Sequence, residues 1–340
     1  MEEDSLLIAR GLDEVPPGES VLALGTFDGV HRGHQQVIGG AVAAAREQRS
    51  RSVAVTFEPH PLEVLRPSAE PVLLTTLEER LALLSGLSLD VALVIPFGLA
   101  FSRTPAQVWM DEILSRRLQA RSVYVGSSYT FGHRREGTAR RLMEWGRERT
   151  IAVTLVPAVL IDGDPVSSNR IRGALHEGLV DEAARLFGRD YSLRGRVEAG
   201  AGRGRTLGFP TANLAVDSPR KILPREGVYA TIVEVGGHRY GGATNIGRRP
   251  TFGGMGLSVE THLLDFGGNL VGTSVVLHFV RRIREERAFP GPDALARQIG
   301  EDIAQVRELL GSARPGYNTV VQDVDNRRNA NGAQAPRRTA

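Results

Sequence analysis

The sequence predicts an α/β domain built on a parallel sheet, followed by a β domain built as a closed or nearly closed antiparallel barrel. Three observations predict it. Between residues 21 and 186, short apolar runs alternate with helical stretches, the pattern of repeated βα units with helices on both faces of one sheet. From Tyr191 to Phe279 the chain turns strand-rich and glycine-rich, with turn signals at 236–237 ("GG") and 267–269 ("GGN"). At 340 residues the chain is long enough for two separate cores.

The elements follow in order. "VLALG" reads as a strand and "QQVIGGAVAAAREQR" as a helix; "RSVAVTFE" and "TTLEERLALLSGL" repeat the pair. "VALVIPF" (strand), "TPAQVWMDEILSRRL" (helix), "SVYVG" (strand), "ARRLMEWGRER" (helix) and "IAVTLVP" (strand) complete the alternation. "SSNRIRGALHEGLVDEAARLFG", at 167–188, predicts paired helices with Ser167 or Ser168 as N-cap. "YSLRGRVEAG", "GVYATIVEV", "HRYGGATNIG", "LSVETHLLDF" and "VGTSVVLHFV" supply the later strands. A last helix covers about 292–310, with Leu295, Ile299, Ile303, Val306 and Leu310 on one stripe. The texture changes near 187–190, which sets domains at 1–188 and 189–312. Residues 313–340 have little apolar content and predict a disordered basic tail.

Composition narrows the function classes. There is no cysteine, which excludes disulfides, thiolate metal sites and thiol nucleophiles and suits a reducing cytoplasm. The N-terminal stretch "MEEDSLLIARGL" is acidic and lacks the regions of a signal peptide, and no apolar run is long enough to span a bilayer. The expected setting is therefore cytoplasmic, with no membrane partner. The net charge is +3, and the five arginines and two aspartates of 313–340 account for all of it. A nucleic-acid binder concentrates basic charge on one face of a folded domain, and no such block stands out, so no nucleic-acid partner is expected. Lys221 is the single lysine, and no G-x-x-x-x-G-K-[ST] loop is present.

The motifs of the first half fall after strands, where ligands of parallel sheets bind. "GTFDGVHRGH" (25–34) joins the first strand to the first helix. A helix N-terminus attracts phosphate, Gly29 and Gly33 permit close backbone approach, and His31 and His34 share one face of the first turn. The same pattern suits a plain turn with two capping or solvated histidines. In "TFEPHP", two prolines hold His60 at the end of a strand. In the second half, "GRGRTLGFPTANL" (202–214) surrounds Arg203 and Arg205 with glycines at 202, 204 and 208, then fixes Thr211 and Asn213 two residues apart. Their oxygens suit a hard cation or a phosphate, although a Gly-rich hairpin with an Asx turn fits as well. In "LSVETHLLDF", alternation puts Val259, Thr261 and Leu263 on one strand face and Glu260 and His262 on the other.

"GTFDGVHRGHQQVI", "TFEPHPLEVLRP", "VYVGSSYTFGHRREGT" and "VSSNRIRGALHEGLVDEAARLFGRDYSLRGRV" occur in one order, followed by "GRTLGFPTANL", "GVYAT", "TNIGRRPTF", "VETHLLDF" and "RRIREERAF". Together, over about 20–312, they resemble the bifunctional bacterial riboflavin kinase / FAD synthetases (FMN adenylyltransferases). The resemblance implies a Rossmann-like H-x-G-H nucleotidyltransferase domain and a flavokinase barrel, acting on riboflavin, FMN and ATP with Mg²⁺. It implies His31 and His34 as catalytic contacts to the ATP phosphates, with Gly25, Phe27, Asp28, Gly33 and His60 beside the nucleotide. It also implies phosphate contacts from Ser167, Ser168, Arg170 and Arg172. In the second half it implies Gly204, Arg205, Thr211 and Asn213 around Mg-ATP, with Thr211 and Asn213 toward the metal. Glu260 would be the base for the riboflavin 5′-hydroxyl, and Arg284 and Ser128 flavin contacts.

The first half departs from the family pattern at three positions that matter, while Thr26 replaces a frequent Asn at a tolerant one. Ser128 and Tyr129 stand where an acidic or amide residue usually precedes Phe, and Asn169 is the third residue of "S-S-T". These departures motivate a second reading, a riboflavin kinase with a weakened adenylyltransferase half. A non-catalytic flavin- or nucleotide-binding regulator is a more distant one. Oligomeric state is not legible.

Overall fold

The computed structural model describes residues 6–68, 73–200, 202–251 and 254–313. The expected tail, 313–340, lies outside the described residues but for Ala313. By spatial clustering the chain forms two compact units. The first comprises Met1–Glu177, Glu182–Arg189 and Ser218–Leu223, and the second Gly178–Asp181, Asp190–Asp217 and the chain from Pro224 onward.

In the first unit the chain runs β1 (Leu7–Ala9), β2 (Ser20–Leu24), α1 (Arg32–Gln48), β3 (Arg51–Glu58), α2 (Pro61–Leu65), α3 (Leu77–Ser85) and β4 (Val91–Pro96). Then come α4 (Ala106–Val108), which continues as a π-helix over Trp109–Arg117, and β5 (Ala120–Gly126). The hairpin β6 (Thr130–Phe131)/β7 (Gly137–Thr138), α5 (Ala139–Glu148), β8 (Ala152–Val156) and the hairpin β9 (Leu160–Ile161)/β10 (Asp164–Pro165) follow. α6 (Ser168–His176) and α7 (Val180–Phe187) close the series.

Six strands pair in parallel in the order β1-β4-β3-β2-β5-β8. The chain runs outward from β2 through β3 to β4, then returns to β5 on the other side of β2. The reversal lies between β2 and β5, so a crevice opens at their carboxyl ends. Strand alternation divides the core. Leu22, Leu24, Val53, Val55, Leu93 and Val123 face Trp109, Met110, Leu142 and Trp145. Val21, Ala23, Ala54 and Val94 face Val37, Ile38 and Ala41 of α1 and Leu77, Leu81 and Leu84 of α3. Each fully buried Leu, Ile or Val contributes about 1.5–3 kcal/mol, which makes the two apolar layers the main support of this unit.

Three local features differ from the sequence reading. β1 is an edge strand beside β4 that the alternation did not include. The helix expected over "TPAQVWMDEILSRRL" is mostly π. The β9/β10 hairpin turns at Asp162 (φ 56°) and Gly163 (φ 86°), the Asp-Gly pair that a two-residue hairpin loop favours. Of the two serines proposed as caps, Ser167 is the N-cap: its hydroxyl accepts from the Arg170 N–H at 3.2 Å.

The second unit contains β11 (Tyr191–Glu198), the short α8 (Arg203–Thr206), β12 (Ala212–Val216), β13 (Gly227–Val235), β14 (His238–Thr251), β15 (Gly254–Leu263), β16 (Ser274–Arg284) and α9 (Pro292–Ala313). Its strands close a barrel in the order β11-β12-β15-β14-β13-β16, with every pairing antiparallel. The β13–β14 turn uses Gly236 (φ 55°) and Gly237 (φ 74°), as the glycine pair predicted. The "GGN" signal does not form a tight turn. The connection from β15 to β16 is longer, bending at Asp265 (φ 58°) and Gly272 (φ 84°), because the Gly272 N–H bonds back to Val197 of β11. Val306 and Leu310 of α9 pack on Ala230, Ile232 and Leu264, with Ile303 beside them. This is the apolar stripe read from the sequence.

Candidate active sites

The first site lies at the β2–β5 crevice, where residues 25–31 connect β2 to α1. Phe27 (φ 50°), Gly29 (φ 85°) and Val30 (φ 39°) all adopt left-handed backbone. At Gly29 a Cβ would also stand 2.8 Å from the Phe187 ring, so only glycine fits. For Phe27 and Val30 this conformation costs of order 1–3 kcal/mol each and persists only where neighbours over-determine it.

Asp28 supplies that determination. It is fully buried. Its carboxylate accepts from the N–H groups of Leu74 and Thr75 at 3.0 Å each and from the Thr75 hydroxyl at 3.2 Å. The Arg172 guanidinium donates to it at 2.5 Å. The Asp28 carbonyl accepts from the Ser168 hydroxyl at 3.2 Å, and Thr75 Oγ1 accepts from the Gly29 N–H at 2.9 Å. Asp28 is thus engaged by protein donors throughout and acts on the shape of the loop.

His31 is the N-cap of α1: its Nδ1 accepts from the His34 N–H at 3.3 Å. The bond spends Nδ1 as an acceptor, so the neutral ring carries its proton on Nε2. His60 is held the same way. It caps α2, its Nδ1 accepting from the Leu62 N–H at 3.1 Å while Glu63 accepts from the His60 N–H at 3.1 Å. The rings of His31 and His34 stack, centroids 3.6 Å apart and 17° between planes, and Phe27 meets His34 edge-on at 5.3 Å. Burial pushes the pKa of His31 to about 4 against the attraction of Asp28, and burial lowers His60 likewise to about 4. His34 is lowered well below its ordinary value by burial, then by His31 and Arg80. All three are neutral hydrogen-bonding groups near pH 7.

The α6 residues divide. Arg172 reaches Asp28 and donates to Asn169 Oδ1 at 3.1 Å. Arg170, two residues earlier and so on another helix face, donates to the Ile161 and Asp164 carbonyls at 2.9 and 3.0 Å and to Glu182 at 3.2 Å. The structure brings Ser168 and Arg172 to the loop of His31 and ties Arg170 to the β9/β10 hairpin. Asn169, one of the three departures, supports Arg172. Ser128 is exposed just after β5. The Tyr129 ring turns to the core and stacks on Phe131 at 5.6 Å, where burial pushes its hydroxyl pKa up.

One residue of this neighbourhood was missed. Arg80 of α3 is fully buried, and its Nη1 donates to Thr56 Oγ1 and to the Phe57 carbonyl, both at 2.9 Å. Its signal was present: Leu77, Arg80, Leu81 and Leu84 form one apolar stripe with a charge inside it.

In the second site, register brings the expected residues together. Asn213 of β12 pairs with Glu260 of β15, which pairs in turn with Asn245 of β14. Val259, Thr261 and Leu263 are buried, leaving Glu260 and His262 on the opposite face, as alternation required. Ser258 Oγ lies 3.5 Å from Glu260 Oε1, and Asn245 Nδ2 lies 3.4 Å from Glu286. His262 also has a role the sequence did not suggest. Its Nδ1 is 2.8 Å from the Pro210 carbonyl and its ring meets Phe209 edge-on at 5.9 Å, which anchors the 209–213 stretch. A pocket of about 240 Å³ opens beside that stretch, lined by Gly200, Arg205, Thr211, Asn213, Phe266 and Val271 among others.

Arg284, which the resemblance implied as a flavin contact, has its guanidinium engaged within the protein. Its Nε and Nη2 donate to Asp302 of α9 at 2.9 and 2.7 Å, and it lies 5.7 Å over Phe289. Among the described residues, no group of three or more His, Asp or Glu side chains is arranged to hold a metal ion.

Comparison with known proteins identifies the family of both halves of the chain. The FAD synthetase family model matches residues 14–170, and the riboflavin kinase model matches residues 187–310. The bifunctional riboflavin kinase/FMN adenylyltransferase of Escherichia coli (strain K12) is 34% identical over 307 residues, 90% of this chain and 97% of its own length. The protein of the same name from Bacillus subtilis (strain 168) is 36% identical over 87% of this chain and 94% of its own. A crystal structure described as a macrolide-efflux protein from Streptococcus pneumoniae is similar with a TM-score of 0.80 and 30% identity, covering 89% of this chain and 98% of that one. That description stays with that protein; no helix among the described residues here is long and apolar enough to cross a membrane. With both family models in sequence and relatives matched over nearly their full length, the chain belongs to the bifunctional riboflavin kinase/FMN adenylyltransferase family.

Proposed function

We propose that the family's two activities are divided along the chain. Residues 1–188 transfer AMP from ATP to FMN, giving FAD and pyrophosphate, and residues 189–312 transfer the γ-phosphoryl group of ATP to riboflavin, giving FMN. The observation that carries the first assignment is the tautomer lock: His31 and His60 spend Nδ1 on helix caps, which leaves Nε2–H to donate.

In adenylyl transfer an FMN phosphate oxygen attacks the α-phosphorus of ATP directly and pyrophosphate departs, so no protein nucleophile is needed. Catalysis then rests on positioning and on stabilising charge as it develops. His31 and His34 donate to phosphate oxygens from the start of α1, Gly33 lets the backbone come close, and His60 donates beside them, while Ser168 spends its hydroxyl proton on the Asp28 carbonyl and so holds the loop next to the phosphates. Asp28 and Arg172 keep the loop in its strained shape. Ser128 contacts the flavin through a short hydroxyl.

In the kinase half, Glu260 accepts the proton of the riboflavin 5′-hydroxyl as its oxygen bonds to the γ-phosphorus, the bond from that phosphorus to the β,γ-bridging oxygen breaks and ADP departs. Thr211 and Asn213 offer hard oxygens that would hold Mg²⁺, and the metal would neutralise charge on the transferred phosphoryl group. Gly204 and Arg205 flank the nucleotide pocket. Arg284 holds the segment after β16 against α9. We place the enzyme in the reducing cytoplasm that its lack of cysteine suits.

The deciding experiment supplies FMN, ATP and Mg²⁺ and follows FAD and pyrophosphate, then repeats with riboflavin and follows FMN. Both products are expected. FMN without FAD would sink the adenylyltransferase assignment and revive the kinase-only reading, and tight flavin binding without turnover would sink both.

A further inference from the structure

The Arg80 guanidinium has two edges in different states. Its Nη1 is fixed by Thr56 and Phe57, and Thr56 Oγ1 donates onward to the Thr26 carbonyl at 2.7 Å, at the start of the histidine loop. Its Nε and Nη2 are buried and make no hydrogen bond. The nearest anion is Glu58, 3.6 Å from Nη2, beyond hydrogen-bond reach. The guanidinium is near enough to His34 and His60 to depress both imidazoles. Another buried atom without a partner lies in the same cluster, His34 Nδ1.

A guanidinium stripped of water on two of its nitrogens is costly to leave so, and the Nε/Nη2 edge is the fork that matches two oxygens of a phosphate. Pinning Nη1 orients that edge before any ligand arrives. We infer that Arg80 is a phosphate-binding residue of the adenylyl-transfer site, its Nε/Nη2 edge taking a phosphoryl oxyanion beside His34. The inference rests on the assignment of adenylyl transfer to this unit. The oxyanion has two sources in that reaction, the pyrophosphate portion of ATP and the phosphate of FMN.

The test uses the full chain and the reaction in both directions, which restricts the readout to this site. In FAD pyrophosphorolysis, Arg80→Met raises the KM for inorganic pyrophosphate about 10–100-fold if the edge holds the leaving group, the range of one charge-assisted bidentate contact. If it holds the FMN phosphate instead, the rise appears in the KM for FMN in the forward direction. Arg80→Lys keeps the charge without the fork and falls between wild type and Arg80→Met. Wild-type KM values for both ligands in a folded variant would overturn the inference, above all with a lowered melting temperature, because Arg80 would then be structural. If Arg80→Met does not fold, Arg80→Lys decides: an unchanged KM for both ligands refutes, a rise in either supports. Failure of the wild-type chain to form FAD would instead sink the functional assignment, which separates the two outcomes.

Discussion

Asp28→Asn tests the claim that this carboxylate holds the nucleotide loop in its strained shape. The substitution removes one charge from a fully buried position and changes almost no volume. The carboxylate now accepts from Leu74 N–H, Thr75 N–H and hydroxyl, and Arg172. An asparagine keeps one acceptor oxygen and turns an NH₂ toward donors, so either Arg172 or the 74–75 backbone faces a donor instead of an acceptor. Breaking a buried pair by removing one partner costs roughly 3–5 kcal/mol. Arg172 keeps 14% side-chain exposure, and its partial hydration moves the cost to the low end, about 3 kcal/mol. For a domain of this size that corresponds to a melting point lower by roughly 6–12 °C. Both tryptophans of the chain, Trp109 and Trp145, lie in the core of the first unit, so their fluorescence follows its unfolding selectively. Riboflavin phosphorylation at low temperature remains at the wild-type rate while FAD formation falls. A tryptophan-monitored midpoint within about 1 °C of wild type would refute the energetic argument.

Three further outcomes follow from the same geometry. Glu260→Gln lowers kcat for riboflavin phosphorylation by about 10²–10⁴ with FAD formation from FMN unaffected; an unchanged kcat removes Glu260 from the mechanism. Gly200→Ala puts a Cβ 2.0 Å from Asn213 Nδ2, so Asn213 must move, and the KM for ATP rises in the kinase reaction alone; initial rates at varied ATP check it. His31 and His60 titrate near 4 in the folded state against an ordinary 6.5, so below about pH 6.5 the unfolded chain binds protons that the folded one does not. Stability of the first unit therefore falls from pH 6.5 toward 4, by up to about 1.4 kcal/mol per pH unit per histidine. Urea midpoints read by tryptophan fluorescence at pH 7.5 and 5.5 measure this; equal midpoints, or no flattening in His60→Gln, would contradict it.

What the sequence made legible was what is local. The parallel sheet was readable because β2, β3, β4 and β5 are apolar runs bounded by helical periodicity. The H-x-G-H turn was readable because its strand, glycines and imidazoles are contiguous. Glu260 was placed on the correct strand face by alternation alone. Its meeting with Asn213 and Asn245 was not readable, since it depends on the register of β12, β15 and β14. Arg284 shows the same limit. The resemblance implied a flavin contact for it, and its ion pair with Asp302 of α9 is visible only in the fold. Arg80 was hidden for a related reason, since its partners Thr56 and Phe57 come from β3 and only the fold shows which nitrogens they leave over.

On the proposed assignment the residues at the first site carry two duties, and one side chain can meet both. In a parallel sheet, the helices that follow the strands begin at the carboxyl edge, where the ligand also binds, so capping and catalysis compete for the same positions. His31 caps α1, His60 caps α2, Thr76 caps α3 and Ser167 caps α6. An imidazole resolves the competition because its two nitrogens point in different directions. Nδ1 satisfies a backbone N–H that would otherwise be orphaned, and that bond fixes the proton on Nε2, where a phosphate needs it. The cap is therefore the device that sets the tautomer. An aspartate or serine at position 31 or 60 would cap the helix as well, but the ionised carboxylate has no donor and the hydroxyl proton rotates, so neither leaves a rigid donor on the far side. Helix stability and phosphate recognition are separable here by substitution even though one ring supplies both.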